Sequence, residues 1–190
     1  MATMANRIPR RPRPRLAWAA CLCVLLGGCS RPEPSGQPGR PDLGASEPVT
    51  LQLLDPAALG DLLHQHRGNV VLIDFWATWC LECVELFPHT VELHERLADQ
   101  GLTVISISLD EPEVRESILA FLHGQGATFD NYISQYGSGS ESFDGFVING
   151  GLPHFKLYDR SGELRKVFPD DEPLDMDGFD RAVEELLAEL

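Results

Sequence analysis

The segment Val70-Val71-Leu72-Ile73-Asp74-Phe75 is β-branched and apolar apart from one acid, and Trp79-Cys80-Leu81-Glu82-Cys83 follows it closely. An apolar run without alternation suits a central strand covered on both faces. The sequence beyond it reads as a helix from about Cys80 to Asp99, which puts Cys80 at a helix N-terminus. Free N–H groups and the macrodipole there favour the thiolate, the reactive form of cysteine. With two residues between them, Cys80 and Cys83 lie about one helical turn apart, close enough to form a small reversible disulfide and to pass it to another protein. Cys80 is the expected nucleophile and Cys83 the resolving thiol, and no cofactor beyond a redox-active Cys80–Cys83 disulfide is expected.

Alternation continues along the chain. Asp55-Pro56 reads as the N-cap and first position of a helix ending near Gly68. Leu102 to Leu109 repeats the buried-strand pattern, and Asp110 is placed to cap a third helix ending near Gly124. Pro153 to Tyr158 and Glu163 to Phe168 read as two strands of a hairpin turned by Asp159-Arg160-Ser161-Gly162. A last helix from about Asp177 spaces Phe179, Val183, Leu186, Leu187 and Leu190 along one face. Residues 49–190 therefore predict one α/β domain, a central mixed sheet with helices on both faces.

The first 28 residues differ from the rest. They hold five arginines and no acid, then an unbroken apolar run from Leu16 to Leu26, which is the order of a secretory signal. The run falls short of the about 20 apolar residues that a membrane span requires. Leu26-Gly27-Gly28-Cys29 resembles the lipobox of bacterial lipoproteins, which implies cleavage after residue 28 and a lipid on Cys29. Cys21 and Cys23 would leave with the leader, so only Cys80 and Cys83 remain beyond Cys29. Residues 29–48, with five prolines and three glycines, cannot bury enough apolar surface to fold and read as a tether. The formal charge is -14 overall, but residues 29–190 carry 10 basic against 29 acidic side chains, a balance of -19 that argues against a nucleic-acid partner.

From Val71 to Cys83 the sequence resembles the active-site strand and loop of the thioredoxin-like superfamily. The resemblance continues through Pro88, inside the active-site helix, and through Gly151-Leu152-Pro153, which is similar to the loop that carries the family's cis-proline. The resemblance implies a thioredoxin fold, a cis Leu152–Pro153 bond, substrate contacts by Trp79, Leu152 and Pro153, and Asp74 as the buried proton acceptor for Cys83. The leader, the tether and the extra sequence between Asp110 and Gly150 are similar to the membrane-anchored TlpA/ResA-like branch. That likeness implies a lipid-anchored reductase of protein disulfides on the extracytoplasmic side of a bacterial membrane, with envelope protein thiols and a membrane thiol electron carrier as partners.

Other chemistries fit less well. Zinc needs four ligands, and His89 and His94 point about 140° apart on one helix. The Pro-x-x-x-Thr-x-x-Cys pattern of a peroxidase is missing. The alternative from another class is copper binding or delivery, with Cys80 and Cys83 joined by His154 around Cu(I). Many thioredoxin-like relatives have proline between the cysteines where this chain has Leu81-Glu82, and a carboxylate there opposes thiolate formation. At ~7 Å and an effective dielectric of ~40 to ~80 the repulsion is about 0.6 to 1.2 kcal/mol, under one pKa unit. For the anchor, Cys29→Ala is expected to release the protein from membranes or block its processing. An unmodified wild-type N-terminus elsewhere in the chain, by mass spectrometry, would rule the anchor out.

Overall fold

The apolar run lies at the middle of a sheet in the computed structural model, which describes residues 48–169 and 174–189. The leader, Cys29 and the tether as far as residue 47 lie outside the described residues, as do residues 170–173 and Leu190, the last of the apolar positions expected on the closing helix. The central strand β2 (Val70–Trp76) is buried at every position. Parallel to it runs β3 (Leu102–Ser108), then β4 (Asp130–Ser134) and the edge strand β1 (Gln52–Leu54). On the other side β5 (His154–Tyr158) and β6 (Leu164–Phe168) are antiparallel, giving a mixed six-stranded sheet in the order β1-β4-β3-β2-β5-β6.

Parallel neighbours need crossovers, and here helices supply them. The helices are α1 (Leu59–Gln65), α2 (Leu81–Leu97), α3 (Arg115–Gln125), α4 (Ser140–Phe146) and α5 (Met176–Ala188). The pleat of β2 sends Val70, Leu72 and Trp76 to one face, where they pack with Phe87 and Val91 of α2, Ile118 of α3 and Phe179 of α5. Val71, Ile73 and Phe75 go to the other face, against Leu62 of α1 and Phe146 of α4. Trp76 sits 4.7 Å from Phe87 and 4.8 Å from Phe121, ring centre to ring centre, so an aromatic cluster underlies the end of β2. Among the described residues no helix is long and apolar enough to cross a membrane.

Three elements depart from the sequence reading: β1, β4 and α4 were all unexpected. β4 reads Asp-Asn-Tyr-Ile-Ser, which carries little apolar signal, yet Asn131 and Ser134 are fully buried. Asn131 accepts from the Ser106 hydroxyl and donates to the carbonyls of Ala127 and Phe129, while the Ser134 and Ser142 hydroxyls are 2.6 Å apart. Hydrogen bonding thus allows polar side chains inside the fold that periodicity would assign to a loop. The third helix also differs. It ends at Gly126, left-handed at φ 70°, and its N-cap, Val114, makes no side-chain bond; Asp110 caps nothing. Phe87 touches Trp76, Phe121 and Phe129, so Phe87→Ala is expected to lower unfolding free energy by about 3–5 kcal/mol in urea titrations. A loss below about 1 kcal/mol would mean that the aromatic cluster does not hold α2 to the sheet.

Candidate active site

β2 ends at Trp76, and Ala77, Thr78 and Trp79 carry the chain to Cys80, the N-cap of α2. The Cys80 N–H donates to the Ala77 carbonyl at 3.1 Å and closes this turn. Cys80 and Cys83 are joined in a disulfide, and the Cys80 sulfur also accepts the Cys83 N–H at 3.2 Å. A sulfur at the N-cap therefore faces one of the free N–H groups of the first turn. The two cysteines are not equally accessible: Cys80 is 8% exposed and Cys83 3%. Flanking them, Trp79 is 58% exposed and Leu81 73%, an apolar rim beside the disulfide, whereas Phe75 and Trp76 are core residues.

Thr78 is held by Asp110, at the end of β3. The Thr78 N–H donates to Asp110 Oδ2 at 2.9 Å and its hydroxyl to Oδ1 at 2.5 Å, and the Ser108 hydroxyl donates to Oδ2 at 2.7 Å. These bonds explain why Asp110 is not the cap of α3 that its position before the helix implied. Pro112 opens a separate 3-10 turn over Pro112–Val114, and the Asp110 carboxylate is turned back toward the loop before Cys80. The sequence reading missed the Thr78–Asp110 pair. Its signal was the register, since Trp76 pairs with Ser108 and two residues further along each strand lie Thr78 and Asp110.

Asp74 is on the α2-facing side of β2 and is 2% exposed. Its Oδ2 accepts from the Thr90 hydroxyl at 2.7 Å, and among the described residues it makes no ion pair. Thr90 lies seven residues after Cys83, two turns along the same face of α2. Burial disfavours the carboxylate and pushes its pKa up to about 7, with the Thr90 hydrogen bond opposing only in part.

Leu152–Pro153 is cis, and Pro153 leads directly into β5. Phe75 pairs with His154, so Pro153 comes opposite the end of β2, where the cysteine loop begins. Leu152, partly buried, packs against both faces of the core. His154 projects to the α4 side, 5.9 Å from the Phe75 ring, with no hydrogen bond to either ring nitrogen. Burial and the neighbouring Lys156 push its pKa down to about 4. Lys156 itself is buried and donates to the carbonyls of Phe146 and Val147, the last residue of α4 and its C-cap. The cysteines belong to the opposite core cluster from Phe75, and among the described residues no three His, Cys, Asp or Glu side chains are grouped to hold a metal. His89 and His94 go separate ways: His89 bonds Asp180 of α5 at 2.7 Å, and His94 packs on Phe129.

A mixed sheet flanked by helices, with a disulfide between cysteines three residues apart where the central strand passes into a helix and a cis-proline at the start of the adjacent antiparallel strand, defines a protein of the thioredoxin fold. The AhpC/TSA family profile matches residues 57–167, and the chain belongs to that family. It is 29% identical over 105 residues to the thiol-disulfide oxidoreductase ResA of Geobacillus kaustophilus, covering 55% of this chain and 57% of the relative. The ResA of Halalkalibacterium halodurans is 30% identical over 105 residues, covering 55% and 56%. The chain thus matches just over half the length of these curated relatives. Among solved structures it resembles a thiol:disulfide interchange protein of the thioredoxin family from Chlorobium tepidum, at 25% identity and a TM-score of 0.53, over 66% of this chain and 84% of that one.

Two of the buried titratable groups, Asp74 and His154, tilt stability in opposite senses. Between about pH 4 and 7 the folded chain keeps the Asp74 proton that the unfolded chain, with its ordinary 3.8, releases, so stability falls as pH rises through that range. Between pH 6.5 and about 4 the unfolded chain protonates His154 and the folded chain does not, so that contribution is complete above 6.5 and is lost as pH falls. Asp74→Asn is expected to raise stability at pH 8 by on the order of 2–4 kcal/mol, and His154→Leu to flatten the loss between pH 6.5 and 4. Urea midpoints measured from pH 4 to 9 check both, and an unchanged pH slope in Asp74→Asn would show that this carboxyl titrates normally.

Proposed function

We propose that this protein is a thiol–disulfide oxidoreductase that reduces protein disulfides through Cys80 and Cys83, held by a lipid on Cys29 at the outer side of a bacterial membrane. The observation that carries the reading is the disulfide itself, placed at the first turn of α2 with its more accessible sulfur beside exposed Trp79 and Leu81. Relatives that bear the name thiol-disulfide oxidoreductase support it. The anchor and the envelope location rest on the leader and the lipobox-like segment, and a membrane thiol carrier is the partner that would return electrons to the pair.

In the reduced protein the Cys80 thiolate attacks one sulfur of a substrate disulfide. A mixed disulfide forms and the other substrate sulfur leaves as a thiolate, which takes up a proton. Asp74, with a pKa near 7, accepts the proton of the Cys83 thiol, directly or through water. The Cys83 thiolate then attacks the Cys80 sulfur, closing the Cys80–Cys83 disulfide and releasing the second substrate thiolate. Two electrons pass from the cysteine pair to the substrate. Trp79, exposed next to Cys80, and Leu152 and Pro153, in the loop that comes opposite the end of β2, are assigned to substrate contact.

Insulin reduction driven by dithiothreitol tests the assignment. Cys80→Ala is expected to lose the activity, and Cys83→Ser to accumulate mixed disulfides through Cys80. Full activity in Cys80→Ala would overturn the proposal, and one-to-one retention of Cu(I) by a wild-type protein that does not exchange disulfides would favour copper delivery instead.

A further inference from the structure

The loops leaving the C-terminal ends of β2 and β3 are tied together by one buried carboxylate. Asp110 is 2% exposed and receives three hydrogen bonds, two from Thr78 and one from the Ser108 hydroxyl, whose oxygen in turn accepts the Asp110 N–H at 3.0 Å. Among the described residues it has no ion-pair partner. Burying a carboxylate is costly unless donors compensate, and the donors here are Ser108 at the end of its own strand and Thr78 in the neighbouring loop, which supplies two of the three bonds. An ordinary structural explanation, capping of the next helix, does not apply, since α3 begins at Arg115 and is not bonded to Asp110. The next residue continues the pattern on the other side: Glu111 accepts from the N–H and hydroxyl of Ser138.

Thr78 occupies the corner of the turn that Cys80 closes onto Ala77. It is exposed, so packing does not fix it, and its N–H and hydroxyl both end on Asp110. We propose that Asp110 is a positioning residue for the nucleophile: through Thr78 it fixes the 77–80 turn, so that after reduction the Cys80 sulfur stays at the first turn of α2 in line with the Cys83 N–H. The proposal rests on the exchange reading above and adds a determinant of redox poise to it. Positioning and charge predict opposite signs. A loosened turn weakens the hydrogen bond to the thiolate, whereas removal of a nearby negative charge would favour it.

The test uses the full chain in three variants. Thr78→Val keeps the carboxylate and the backbone N–H but deletes the hydroxyl donor; Thr78→Ser restores that donor; Asp110→Asn removes the charge. Iodoacetamide alkylation of Cys80 in the reduced protein and the redox equilibrium with glutathione are the readouts. Loss of roughly 1 kcal/mol of hydrogen bonding at the turn predicts alkylation roughly five-fold slower in Thr78→Val, with the equilibrium moved by a similar factor toward the disulfide. Thr78→Ser is expected to recover both, and Asp110→Asn to slow alkylation as well. Wild-type alkylation in Thr78→Val, an equal loss in Thr78→Ser, or faster alkylation in Asp110→Asn would each overturn the proposal. If insulin reduction is absent in the wild type while Thr78→Val still slows Cys80 alkylation, the exchange reading fails and the positioning role stands.

Discussion

Complete burial of β2 is the constraint on which the rest depends. A strand paired on both edges and covered on both faces has no freedom to shift register, because a slip by one residue would exchange its two sets of side chains between the α2 and α4 sides. The end of the strand is therefore a fixed point, and the Cys80–Cys83 disulfide sits on the segment that leaves it. The same burial makes Asp74 expensive. Thr90 supplies one hydrogen bond, too little to offset desolvation, so this carboxyl is held near neutrality in the pH range where a proton acceptor is useful.

Around that fixed point the active edge is assembled from polar contacts that no hydrophobic pattern would announce. Asp110 holds the turn before Cys80, and Glu111 beside it holds the turn at Ser138. On the opposite side of the sheet Lys156 reaches from β5 to the end of α4, satisfying two carbonyls there, with Val147 left-handed at φ 55°. A β-branched residue seldom adopts that conformation without support, and the ammonium on its carbonyl is part of the support here. The segment 147–153 runs from that cap to the cis-proline, so each approach to the site begins at a buried charge bonded to backbone.

The legible parts of the sequence were those in which burial and periodicity coincide. β2 is apolar but for Asp74, β3 carries Leu102, Val104, Ile105 and Ile107, α5 shows its buried face through Phe179, Val183 and Leu186, and the β5–β6 hairpin is marked by Asp159 and Gly162, whose side chain and φ of 84° make the turn. The cysteine pair and the cis-proline loop were readable because short motifs carry them. β4 was hidden by Asn131 and Ser134, polar residues that become core residues only when Ser106 and Ser142 arrive from elsewhere in the chain. Asp110 was misassigned for a related reason. A lone Asp before a Pro-initiated turn looks like a cap, and two of its three real donors lie 32 residues back, across a strand pairing.

The electrostatics of the first turn of α2 also bear on the direction of the proposed chemistry. A strongly oxidising disulfide needs a reduced form with a heavily stabilised thiolate. At Cys80 the favourable side is the N-terminus of α2 and the Cys83 N–H, worth typically 0.3–1 kcal/mol and up to ~2 kcal/mol when partly buried. Against it stands Glu82 in the same turn, at about 0.6 to 1.2 kcal/mol by the Coulomb argument. The two nearly cancel, and no cationic side chain belongs to the first turn of the helix to tip the balance toward the thiolate. With the anionic form of Cys80 given little net stabilisation, the first turn of α2 supplies no strong bias toward the dithiol, which supports the proposed direction of exchange.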